Sequence, residues 1–167
     1  MSQPGRTAIP SFDKASDDRR PLEAWPVFDG PADIILFEGW CVGAVPEPAE
    51  ALDEPINALE RDEDPDRVWR RYVNDALTAY QPLFARLDKL ILLKAPHFPV
   101  IERWRGEQED KARVARLGPR VMTPAEVARF IQHYERLTCA ILAEMPARAD
   151  ALVELGEDRE RVRLSFR

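Results

Sequence analysis

Two short stretches hold the side chains best suited to chemistry. In "ADIILFEGWCVGAVP" (residues 32–46) an apolar run, Ile34 to Phe37, drives straight into a carboxylate, Glu38, and is followed by Gly39, Trp40 and Cys41. Bulky and β-branched residues without polar alternation read as a strand over Asp33–Glu38, buried on both faces. Glu38 then sits at its carboxyl end, which in an open α/β sheet faces the ligand crevice. The competing reading is a carboxylate that merely caps the next turn. In "FDKASDDRR" (residues 12–20), Lys14, Arg19 and Arg20 gather beside Asp13. The planar fork of Arg suits the carboxylate of a small acidic substrate. The same cluster serves equally as a solvated basic patch, and Asp13 by itself reads as a loop residue.

Elements must hold these stretches in place. Residues 1–31 form a polar, irregular arm carrying Pro4, Pro10, Pro21, Pro26 and Pro31, which can wrap a domain but not be its core. An acidic, proline-punctuated stretch runs from Pro46 to Pro65. From Asp66 to about Leu87, Val68, Trp69, Tyr72, Val73, Ala76, Leu77 and Tyr80 recur at helical spacing, which places Trp69, Tyr72 and Tyr80 in a core. "KLILLKA" (residues 89–95) reads as a second buried strand, and "VIERWRGEQEDKARVAR" (residues 100–116) as a highly charged helix, either a solvated face or a lid.

Thr123-Pro124-Ala125-Glu126 is a helix start with Thr as cap, Pro in the first turn and Glu three residues on; the helix runs to about Met145. A third apolar strand, Ala151 to Leu155, and a short basic tail finish the chain. Strands alternating with helices predict an α/β fold with a mainly parallel sheet, forming one domain over residues 32–167.

Composition narrows the function classes. A chain of 167 residues, 45% hydrophobic and 32% charged, suits one soluble globular domain. No apolar run approaches the roughly 20 residues of a membrane helix, and the start has no leader-like pattern, so the expected location is the cytoplasm. The net charge of −6, from 24 basic and 30 acidic residues mixed along the chain, argues against broad nucleic-acid binding. Cys41 and Cys139 lack the spacing of a zinc site or disulfide framework. His97 follows a strand end and could line the crevice, with no second His or carboxylate at ligand spacing, and His133 reads as a surface or packing residue of a long helix.

Taken in order, "FDKASDDR" (12–19), "ADIILFEGWCVGA" (32–44), "ERWRGEQEDKAR" (102–113) and "FIQHYERLTCAILAEMPARADALVEL" (130–155) resemble the P-loop small-molecule kinases. The resemblance is to the D-glycerate 3-kinase group, itself similar to uridine kinase, pantothenate kinase and phosphoribulokinase, and it extends from about Pro10 to Leu164. Those kinases carry a GxxxxGK[ST] loop that cradles nucleotide phosphates, and none of the seven glycines here opens one. The resemblance therefore implies the carboxyl-terminal part of a three-layer P-loop NTPase fold, without the P-loop strand.

By the same resemblance Asp13 matches the carboxylate that takes the acceptor hydroxyl's proton, and Glu38 the acidic residue that reaches Mg²⁺. Trp40 walls the acceptor site, and Arg103 and Arg105 match a lid, around residues 100–117, that closes over phosphates. The implied activity is phosphoryl transfer from ATP, with Mg²⁺, to a hydroxyl of a small glycerate-like metabolite, the isolated chain being inactive. The alternative is a non-catalytic remnant acting as a binding or interaction module. A sheet missing its P-loop strand implies a partner: an amino-terminal half chain, or self-association.

Overall fold

In the computed structural model, residues 5–13, 16–114 and 122–167 are described. The chain divides into two compact units, Met1–Glu38 and Gly39–Arg167.

The first unit is built from short antiparallel ladders. β1 (Arg6–Ala8) pairs with β4 (Val27–Asp29), and Arg6 meets Asp29 across that ladder at 3.1 Å. β2 (Phe12–Asp13) pairs with β3 (Asp18–Arg19) through a turn that puts Asp17 at φ 53°. The proline-rich arm thus contains paired backbone where irregular chain was expected. The strand expected over Asp33–Glu38 is absent: this stretch joins no ladder, and Ile34, Ile35, Leu36 and Phe37 are 79, 75, 89 and 51% exposed. The physical reason is a missing environment. An apolar run becomes a buried strand only between neighbouring strands and under a covering layer, and among the described residues neither reaches it.

The second unit packs helices on one face of a three-stranded sheet. Its helices are α1 (Ala58–Glu63), α2 (Val68–Phe84), α3 (Phe98–Val114) and α4 (Pro124–Glu144); its strands are β5 (Ile91–Lys94), β6 (Ala151–Leu155) and β7 (Arg161–Phe166). β5 and β6 run parallel, β6 and β7 antiparallel, so the sheet is mixed and not mainly parallel. The expected basic tail is β7. Its alternation Val162, Leu164, Phe166 has strand period, and Gly156 and Arg159 turn the chain back from β6.

α4 starts as its sequence dictates: the Glu126 N–H donates to the Thr123 hydroxyl and the Thr123 N–H to the Glu126 carboxylate, a complete capping box. Leu77 of α2, Leu137 and Ile141 of α4 and Leu92 of β5 form the core with Ala44, Met145 and Ala149, and Cys41 packs against it. Leu92, Leu152 and Ser165 stand opposite one another in register on that face; Ile91, Leu93, Leu164 and Phe166 lie on the other, exposed.

The aromatic residues of α2 are a correction. Trp69, Tyr72 and Tyr80 are more than half exposed, Trp69 stacking on Tyr72 and Tyr80 on Phe84. Only Leu77 and Arg70 of this helix are buried; Val73 is half-buried and Trp69 borders a cleft toward α4, while Tyr72 and Tyr80 lie exposed.

Candidate functional site

The residues singled out from the sequence fall in both units. In the first, Asp13 ends β2, half-buried, and stands opposite Asp18 in the β2–β3 ladder; Phe12 stands opposite Arg19. The Ser16 hydroxyl donates to the Asp13 carbonyl at 3.4 Å. The ladder brings Asp13 and Arg19 to one short hairpin. Arg20 follows it, exposed, its carbonyl accepting the Trp25 indole N–H at 2.8 Å. Lys14 lies outside the described residues. Glu38 ends the unit on an exposed stretch, with no hydrogen bond or ion pair among the described residues. A free carboxylate of this kind fits the donor chemistry of Mg²⁺, which takes one or two carboxylates and fills its remaining positions with phosphate oxygens and water.

In the second unit Trp40 is fixed from α4. Its indole N–H donates to the Thr138 hydroxyl at 2.9 Å, and its ring meets Tyr134 edge-on at 4.8 Å. Arg103 and Arg105 share α3 but face different neighbours. Arg103 reaches the β6–β7 turn, pairing with Glu157 at 3.2 Å and Asp158 at 3.5 Å, while the Trp104 indole donates to the Glu157 carbonyl at 2.7 Å. Arg105 turns toward α4, ion-paired with Glu109 and placed over the Phe130 ring at 5.5 Å. Residues 115–117 of the expected lid lie outside the described residues.

Sequence reasoning did not find the densest polar network. Glu60 of α1 and Arg136 of α4 bind each other through two hydrogen bonds, and Arg136 also donates to the carbonyls of Ala51 and Glu54. Glu47 stands beside them: burial lifts its carboxyl above the usual range, Arg136 opposes that, and Glu60 adds to it. The Asn74 amide clamps the Glu47 backbone, accepting its N–H at 2.7 Å and donating to its carbonyl at 3.0 Å. One signal was present: Arg136 falls next to the apolar stripe Ile131, Leu137, Ile141 of α4, where a charge needs a buried partner.

No protein-family model matches the chain. It is 27% identical over 164 residues to the chloroplastic D-glycerate 3-kinase of Arabidopsis thaliana, across 90% of this chain and 33% of that protein. It is 31% identical over 137 residues to the uncharacterized kinase mug58 of Schizosaccharomyces pombe, across 76% of this chain and 46% of that one. The chain thus spans less than half the length of either relative. Among solved structures it is similar to D-glycerate 3-kinase from Cryptococcus neoformans, with TM-score 0.76 and 21% identity over 97% of this chain and 60% of that one. It is also similar to the YGR205w protein, with TM-score 0.66 and 18% identity over 99% of this chain and 59% of that one. These two likenesses establish a shared mixed α/β fold.

Proposed function

The chain is homologous to D-glycerate 3-kinase over part of that enzyme's length, and from this we propose that it is the acceptor- and lid-bearing portion of an ATP-dependent small-molecule kinase. The observation that carries the reading is the sequence identity to two kinases, together with four motifs in family order. The proposed acceptor is a small hydroxy acid of glycerate type. Its carboxylate pairs with Arg19, Arg20 and Lys14, its hydroxyl proton passes to Asp13, and the freed oxygen bonds to the γ-phosphorus as the bond to ADP breaks. Mg²⁺ supplies charge neutralisation at the phosphates, and Glu38 is the residue that holds it. Trp40 is the acceptor-walling residue by resemblance alone; within its own unit it is held by Thr138 and Tyr134.

Arg103 and Arg105 are the proposed lid cations, and both are engaged with protein carboxylates. For Arg103 that state is compatible with a lid, because such surface ion pairs are worth only about 0–1 kcal/mol and exchange readily for a phosphate, whereas Arg105 is held by the buried carboxylate of Glu109. The phosphate cradle must come from elsewhere, since these 167 residues hold no GxxxxGK[ST]. In the same reading, another chain segment or a second copy pairs with the apolar stretch Ile34–Phe37 and covers the exposed sheet face of Ile91 and Leu93.

A second reading, a binding module without catalysis, is favoured by that same missing loop. Calorimetric titration of the chain with Mg·ATP decides between them. Binding that disappears in Glu38→Ala supports the kinase site, and binding unchanged in Glu38→Ala removes Glu38 from it. A chain that binds no Mg·ATP, alone or with a P-loop-bearing partner, is the module.

A further inference from the structure

Beside the Glu60–Arg136 pair, two adjoining cavities of about 60 and 220 Å³ open between α1, α2 and α4, sharing Glu60, Trp69, Arg70 and His133 in their walls. The smaller is also lined by Trp40 and Glu47. The charges in these walls are unequally committed. Arg70 donates to the carbonyls of Leu52, Asp64 and Asp53 and to the Asp64 carboxylate. Arg136 donates to Glu60 and to two backbone carbonyls. Both guanidiniums are therefore spent on the protein, and an anion entering the cleft finds no arginine free to receive it.

The acidic side differs. Among the described residues the Glu47 carboxylate is ion-paired with one cation, Arg136 Nη1 at 3.9 Å, which is beyond hydrogen-bond length. Glu60, Asp64 and Glu63 are paired with Arg136, Arg70 and Arg129, so the carboxylate left least compensated at the cleft is that of Glu47. The remaining wall is aromatic: Trp69 is 60% exposed and braced by its stack on Tyr72, and Trp40 is oriented by Thr138. Two indoles lining a cleft with an incompletely paired carboxylate, both lining arginines being already occupied, make a receptor for positive charge.

We propose that this cleft binds a small organic cation, an alkylammonium or quaternary ammonium, with its charge on Glu47 and its carbon groups against the indoles of Trp40 and Trp69. The proposal makes no use of phosphoryl transfer; it shares Trp40 with the kinase reading, and its test rests on Glu47 and Trp69, which that reading does not use.

The test is titration of the full chain with tetramethylammonium chloride, followed by tryptophan fluorescence and calorimetry, with sodium chloride at matched ionic strength as reference. A saturable signal at millimolar concentrations, weakened about tenfold or more in Glu47→Gln and in Trp69→Ala with their circular dichroism unchanged, supports the site. Glu47→Gln keeps the side-chain volume, and Trp69 is largely exposed, so both variants are expected to fold. A response no different from sodium chloride overturns the proposal. So does binding that neither substitution changes, or a preference of the cleft for inorganic phosphate.

Discussion

Arg136 Nε donates to Glu60 Oε1 at 2.7 Å and Arg136 Nη2 to Glu60 Oε2 at 2.6 Å, a two-pronged pair that ties α1 to α4 across 76 residues of sequence. Both side chains are nearly buried, at 12 and 10% exposure. Two charges removed from water gain little net stability as a pair, but breaking the pair strands one of them. Arg136→Met is expected to cost about 3 kcal/mol in urea unfolding, and Arg136→Met with Glu60→Leu distinctly less than the two single losses combined. Strictly additive losses would mean that the two side chains act independently.

Asp64 supports α2 from outside the helix. Its carboxylate accepts the backbone N–H of Trp69 at 2.8 Å and of Arg70 at 3.1 Å, and the Arg70 guanidinium at 3.2 Å. Burial alone would lift this carboxyl, but those hydrogen bonds and the Arg70 charge together hold it below the usual carboxylate range. A folded-state pKa below the unfolded one contributes stability above the unfolded value, near 3.9, and that stability is lost as pH falls through the folded value. Unfolding free energy measured between pH 7 and pH 3 should therefore fall less steeply in Asp64→Asn than in the parent, with the variant less stable at pH 7. Parallel pH curves would remove Asp64 from the acid response.

These examples mark how far the sequence could be read. Helices α2 and α4 and strands β5 and β6 were legible because local signals specify them: the Thr123–Glu126 cap, a 3.6-residue apolar period, short unbroken apolar runs. Ile34–Phe37 has the composition of a buried strand, yet strand formation depends on neighbours, and composition does not say whether these are present. Tyr72 and Tyr80 show the same limit, since amphipathic spacing identifies a stripe without saying what covers it. Arg136 was marked only by its place beside the apolar stripe of α4, and nothing local named Glu60 as its partner, because that partnership depends on how α1 docks against α4. Of the residues singled out for chemistry, local geometry joins, among those described, only Asp13 and Arg19, in one hairpin.

Gly43 sits where two demands coincide. Its φ of +80° belongs to the left-handed region, and a Cβ there would meet Leu90 Cδ1 at 2.9 Å, against the core. Its carbonyl also receives the Arg148 guanidinium, so the backbone has little freedom to relax. Gly43→Ala is expected to lose about 1–3 kcal/mol by chemical denaturation. A loss of a few tenths would show that the Cys41–Ala44 turn adapts.

Arg103 separates a binding role from a structural one. Its bonds to Glu157 and Asp158 are on the surface, its own side chain being 43% exposed, and such pairs contribute about 1 kcal/mol or less. The β6–β7 turn keeps other anchors on α3, namely the Trp104 indole on the Glu157 carbonyl and the Arg159–Glu107 pair at 2.7 Å. Arg103→Met should therefore leave thermal stability nearly unchanged. If Arg103 closes over phosphates, the same variant weakens Mg·ATP binding by about tenfold or more, the scale of one lost charge-assisted contact. Unchanged affinity at unchanged stability would leave Arg103 as a strut for the turn and shift the lid role to Arg105 alone.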